Sequence, residues 1–127
     1  MDKKYNFKNL EAYKTSKSLV KIVYGVLQGF PREEQYALCN QLRRAVISVP
    51  SNIAEGSGRT SAKDQAHFFE MAYGSLMEVA CQMDIACDLG YITSGDLEII
   101  EQHVGLIAAL LSGLRAKCLG IATSGTL

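Results

Sequence analysis

Two stripes run side by side at helical spacing from Leu38 to Arg59, and neither slips phase at the proline between them. The apolar stripe is Leu38, Cys39, Leu42, Val46, Val49 and Ile53. The polar stripe is Gln41, Arg44, Ser48, Asn52, Glu55 and Arg59. Both advance mainly by steps of three and four, which one side of an α-helix requires and a strand of period two cannot provide. Pro50 removes one backbone hydrogen bond, to Val46, and should kink the helix. A competing reading stops the helix at Val49 and restarts it at Asn52, with Asn52 and Glu55 as a capping box. The continuous phase favours a single kinked helix over residues 32–57. Pro31 stands at its start, where a missing N–H costs nothing, and Glu33 and Glu34 favour the positive end of its dipole. The Gly56-Ser57-Gly58 run ends it.

An apolar stripe of that length has to be covered, and the rest of the chain supplies three further helices. The first, residues 10–28, places Leu10, Tyr13, Leu19, Val20, Val23, Val26 and Leu27 on one face and Lys14, Lys17 and Lys21 on the other. Asn9 is its expected N-cap and Gly29 its C-cap. The third, residues 61–89, has Ser61 as N-cap with Asp64 at the capping-box position, and its core runs Phe69, Ala72, Leu76, Val79, Met83, Ala86. Gly74-Ser75 in its middle should allow a neighbour to approach closely. The fourth, residues 94–118, is capped by Thr93 or Ser94 and keeps an unbroken heptad of Leu97, Ile100, Val104, Ile107, Leu111, Leu114 and Cys118. Residues 1–8 and the tail after Leu119 should be loosely ordered. No segment shows bounded strand alternation. The fold predicted is all-α: one domain, 1–127, an antiparallel up-down four-helix bundle with its second helix kinked at Pro50.

At 127 residues and 48% hydrophobic, the chain can bury a core without disulfide or metal staples. Formal net charge is zero, which argues against a general nucleic-acid binder. The charge is uneven: residues 1–21 carry six lysines against Asp2 and Glu11, so that segment is +4 and the remainder −4. The four cysteines, Cys39, Cys81, Cys87 and Cys118, contain no C-x-x-C pair and read as small core residues of a reduced, cytoplasmic protein. No apolar leader stands at the N-terminus, and the run Val104–Leu114 is too short for a bilayer span of about 20 residues.

The residues do not assemble a chemistry. A di-iron bundle needs Glu-x-x-His pairs; His67-x-x-Glu70 is reversed, and His103 has no Glu three residues before it. Asp84 and Asp88 form an i, i+4 pair at the expected solvated edge of the third helix. No nucleophile constellation or phosphate loop is present, so neither enzymatic activity nor a cofactor is expected. The arginine pair carries more information. Residues equidistant from the turn between the second and third helices lie level, which sets Arg43 or Arg44 opposite Glu78 as an expected ion pair and Glu55 near Lys63.

The segments LEAYKTSKSLVKIVYGVLQGFP, YALCNQLRRAVISVPSNIAEGSGR and FFEMAYGSLMEVACQMDIACDLGYI span about residues 9–92. They resemble the four-helix bundle proteins named after open reading frames within 23S rRNA intervening sequences. The QLRR and SNIAEG elements carry the resemblance. It implies a left-handed bundle assembled as a ring-shaped homopentamer, with no catalytic residues to carry over. Through more basic, distantly similar accessory variability proteins of diversity-generating retroelements, it implies RNA or DNA and a reverse transcriptase as partners.

Two functions follow as expectations. The first is a homo-oligomeric binding or assembly scaffold whose interface or partner face is Gln41, Arg43, Arg44, Ser48, Asn52, Glu55, Arg59 and Glu78. The second is a nucleic-acid-binding accessory using Lys14, Lys17, Lys21, Arg59 and Lys63.

Overall fold

The computed structural model describes residues 3–121, and every regular element in them is helical. A run of 3-10 turns, Lys3–Asn9, leads into α1 (Glu11–Leu27). A single 3-10 turn, Arg32–Glu34, precedes α2 (Leu38–Ser57), and α3 (Ala62–Asp88) and α4 (Ser94–Leu119) follow. α1 packs on α2 and α4, α3 packs on the same two helices, and among the described residues the backbones of the diagonal pairs α1–α3 and α2–α4 stay apart. That is the four-helix arrangement the apolar periodicities require.

The core is built by the predicted stripes. Leu19 and Val23 of α1, Leu42, Val46, Val49 and Ile53 of α2, Leu76, Val79 and Met83 of α3, and Ile100 and Ile107 of α4 are all fully buried. Burying a side chain of this size contributes about 1.5–3 kcal/mol, so the stripes dominate the folding energy. α2 runs without interruption through Pro50, which is itself buried. Ser16 is the one polar core residue among those described; its hydroxyl donates to the Ala12 carbonyl at 2.6 Å, so nothing is left unsatisfied.

The helix ends depart from expectation in several places. Lys3–Asn9 forms turns, and Phe7 stands edge-on to Tyr13 at 4.8 Å. Residues 1 and 2 and the tail beyond Ile121 lie outside the described residues. Asn9 is absorbed by the preceding turn, so Leu10 takes the N-cap position with an extended backbone and no side-chain bond. Gly29 keeps no left-handed cap. The last turn of α1 tightens instead, with Gln28, Gly29 and Phe30 N–H groups each bonding three residues back. α2 begins at Leu38, not at residue 32, because the Gln35 side chain and carbonyl both accept from Arg43, at 2.9 and 3.3 Å, and hold the preceding turn folded back. The other caps form as the residues imply. Ser61 Oγ accepts from the Asp64 N–H at 3.0 Å, and Thr93 and Asp96 make a reciprocal capping box. Gly90 closes α3 at φ 79°, with the Tyr91 N–H reaching the Ala86 carbonyl.

Two glycines exchange roles. Gly74 has open space around it, so it brings no neighbour close. Gly56, in the last turn of α2, is buried; a Cβ there would lie 3.0 Å from Phe68 Cβ and Phe69 Cε1, and 3.2 Å from the Gln65 carbonyl oxygen. The close crossing of α2 and α3 is therefore near their shared turn.

Candidate interaction faces

The polar stripe of α2 divides along its length. Its upper part closes against α3. Ser48 and Ser75 hydroxyls share a hydrogen bond of 2.8 Å, and Asn52 Nδ2 donates to the Ser48 carbonyl and hydroxyl, both at 2.9 Å. Gln82 Nε2 donates to Gln41 Oε1 and to Glu78 Oε2, each at 3.1 Å. Two acceptors on one amide fix its orientation, and Gln82 Oε1 is left buried with no protein partner. The bundle thus makes its own use of Gln41, Ser48 and Asn52.

The expected ion pair from the arginine pair to Glu78 does not form. Arg43 is drawn to Gln35, and Glu78 accepts from Gln82. Arg44 is exposed and makes no ion pair among the described residues. Glu55 pairs with Arg59 at 2.8 Å, one turn along the same stripe, and not with Lys63. The helical neighbour is always within reach, whereas Lys63 sits across the turn on another helix. Arg59 also covers the Phe68 ring, with its guanidinium carbon 4.4 Å from the centroid. Neither the Arg43–Gln35 contact nor the Arg115–Glu70 pair, 2.9 Å between α4 and α3, carries a sequence-spacing signal. Counting levels from the α2–α3 turn could not find the second, because it needs the level of α4 as well.

Lys14, Lys17 and Lys21 lie together on the exposed outer side of α1. Lys14 approaches Glu11 at 3.7 Å and Lys17 stands 5.3 Å from the Tyr13 ring centre. Arg59 and Lys63 belong to the α2–α3 turn, and Lys63 stands on α3, at the corner opposite α1. Between α1 and α2 runs an open groove of about 520 Å³, floored by Val20, Ile47, Pro50 and Ala54 and rimmed by Lys17 and Lys21. A second groove, about 470 Å³, separates α1 from α4 and includes His103 and Leu106.

Asp84 and Asp88 are both exposed. His67 is exposed against the Phe68 ring, and His103 Nδ1 lies 3.0 Å from the Ile99 carbonyl. Among the described residues no three His, Cys, Asp or Glu side chains converge as a metal site would need. Of the cysteines only Cys39 is fully buried. Cys87 and Cys118 are half-buried, and Cys81 is exposed, which corrects its reading as a core residue. Cys81 falls on the outward side of α3, away from the Val79 and Met83 face.

Large apolar side chains remain uncovered on all four helices, among them Tyr24 on α1, Ile47 on α2, Met77 and Ile85 on α3, and Ile99 and Leu106 on α4. α4 alone among the described helices is long and apolar enough to cross a membrane by length and composition, yet only 22% of its most apolar window is buried. Its heptad face packs in the core and Arg115 ties it to α3, as a bundle helix requires.

A protein-family model described as 23S rRNA-intervening sequence protein matches residues 8–113. No curated protein matches the chain.

Proposed function

We propose that this chain, which belongs to the 23S rRNA-intervening sequence protein family, is a non-enzymatic, homo-oligomeric scaffold for binding or assembly in the cytoplasm. The observation that carries the reading is α4: the most apolar helix of the bundle leaves Ile99 and Leu106 about half exposed outside the core. Water-exposed surface of that kind is characteristic of association sites. A ring of five copies is the form the family resemblance supports. Sedimentation of the full chain tests it. A stable monomer at micromolar concentration would refute the reading, and a mass of five chains is the expected result.

A second reading rests on a separate observation. Three lysines at i, i+3 and i+7 face outward on α1. In an assembly such rows repeat, so zero net charge per copy does not preclude binding RNA or DNA, alone or beside a reverse transcriptase. Binding to structured RNA across a salt series tests this; no salt-dependent binding at low ionic strength removes it.

A further inference from the structure

We infer that the groove between α1 and α2 is a docking site for an acidic amphipathic helix of another protein. The inference goes beyond the scaffold reading by naming a partner, and it holds for a single copy as for a ring.

The groove is straight and apolar. Along it α1 advances through Tyr13, Lys17 and Val20 while α2 runs back through Ala54, Pro50 and Ile47, so steps of four and three on one wall match steps of four and three on the other. Pro50 is buried, Val20 and Ala54 are half-buried, and Ile47 is 42% exposed. Tyr24, one turn beyond Val20, is 40% exposed. At 1.5 Å of rise per residue, the wall from Tyr13 to Tyr24 is about 16 Å long, or three helical turns. Apolar surface gathered in a groove and left open to water marks a binding site more often than a bare surface does.

The rim is cationic and has no counter-charge of its own. Lys17 and Lys21 stand on α1. Arg44 stands on α2, three residues before Ile47 and seven before Ser51, which puts it on their side of the helix. Among the described residues no carboxylate lines the groove. Glu11 is taken by Lys14 at 3.7 Å, and Glu55 by Arg59 at 2.8 Å. Lys17 lies 5.3 Å from the Tyr13 ring centre, and none of the three cations has an ion pair among the described residues.

These features select the occupant. A groove between two antiparallel helices accepts a third helix, ridge into groove. An extended segment would set unpaired backbone N–H and C=O groups over the apolar floor, whereas a helix satisfies its own. Apolar side chains on one face of the guest cover Ile47, Val20 and Pro50, and carboxylates beside them meet Lys17, Lys21 and Arg44. A nucleic acid would use the same cations but has nothing to set against Ile47.

The probe is a labelled synthetic helix of about fifteen residues, with leucine at i, i+4, i+7 and i+11 and glutamate on either side. Fluorescence anisotropy follows its binding to the full chain, beside the same peptide with lysine for glutamate and a single-stranded RNA of equal charge. The acidic peptide is expected to bind saturably and the lysine peptide not at all. Ile47→Ser, at an exposed position, should weaken the acidic peptide about tenfold and leave RNA binding unchanged. The double variant Lys17→Glu, Lys21→Glu should lose the acidic peptide and admit the lysine peptide, with helical circular dichroism unchanged in both variants. Failure of the acidic peptide to bind overturns the inference, and so does equal binding to Ile47→Ser, which would reduce the site to charge alone. RNA that binds more tightly than the peptide and competes it off gives the cations to nucleic acid and overturns it too. A wild type that sediments as a monomer and binds the peptide refutes the ring and leaves the docking site standing.

Discussion

Replacing Gly56 and Gly74 by alanine should move stability in opposite directions. In an exposed helix interior, Gly→Ala gains about 0.5–1 kcal/mol by restricting the unfolded chain and removing backbone freedom. Gly74 meets that description: it is exposed, and its added Cβ would touch nothing within 4 Å. Gly56 has the same propensity gain to collect, but its Cβ would enter at 3.0 Å from two aromatic carbons and 3.2 Å from the Gln65 carbonyl. Phe69 is 4% exposed and the carbonyl belongs to the first turns of α3, so neither can withdraw freely. Overpacking of this kind costs about 1–3 kcal/mol. Set against the propensity gain, the net loss at Gly56 is about 1 kcal/mol, or roughly 4 °C in melting temperature for a chain of this size. Urea unfolding at one fixed protein concentration, followed by helical circular dichroism, reads both variants. A Gly56→Ala protein as stable as wild type would refute the close crossing of α2 and α3.

Thr93→Ala removes one half of the α4 capping box and should cost about 1 kcal/mol in the same urea assay, while Ser94→Ala should cost a few tenths. The Tyr91 hydroxyl donates to Glu34 at 2.9 Å, and this bond to a carboxylate pushes its pKa above the ordinary tyrosine value. Because the folded pKa is the raised one, the contribution of Tyr91 is fully present below the unfolded tyrosine pKa of about 10 and is lost as pH rises through the folded value. A difference ultraviolet titration against Tyr91→Phe should show late ionisation in wild type and an earlier one in Glu34→Gln. Thiol alkylation under native conditions should modify Cys81 first and Cys39 last, since burial pushes the Cys39 thiol up and shields it. Mass mapping of the modified peptides checks the order.

Periodicity made the bundle legible. An apolar stripe records which side of a helix faces others, and that held across Pro50 because the phase of the stripe is set by packing and not by the one lost hydrogen bond. Ser61 and Thr93 were readable because a cap is a local bond over three residues. The start of α2 was not, since it depends on Arg43 reaching back to Gln35, a contact with no repeating signal. Gly56 and Gly74 look alike in sequence; only the crossing point of α2 and α3 separates them. The polar stripe was visible as a stripe, but whether Ser48 meets water, a partner or Ser75 depends on how deeply α3 seats beside it. The family resemblance reached as far as the family match, residues 8–113, and named no interface.

The ladder of levels that aligns the helices also sorts their charges along the bundle. Arg59, Lys63, Arg115 and Lys117 gather at the end holding the α2–α3 turn, on the same half as Lys14 and Lys17. Glu33, Glu34, Asp84, Asp88, Asp96 and Glu98 gather at the other end. Glu11, Glu55, Asp64 and Glu70 offset part of the first group, and Arg32, Arg43 and Arg44 part of the second, so the charge separation along the long axis is partial. Helix backbones cannot cancel it, because the two pairs of opposed helices already offset one another. Near a polyanion such a molecule turns end-on before it touches, and copies held in one orientation add their moments instead of averaging them away.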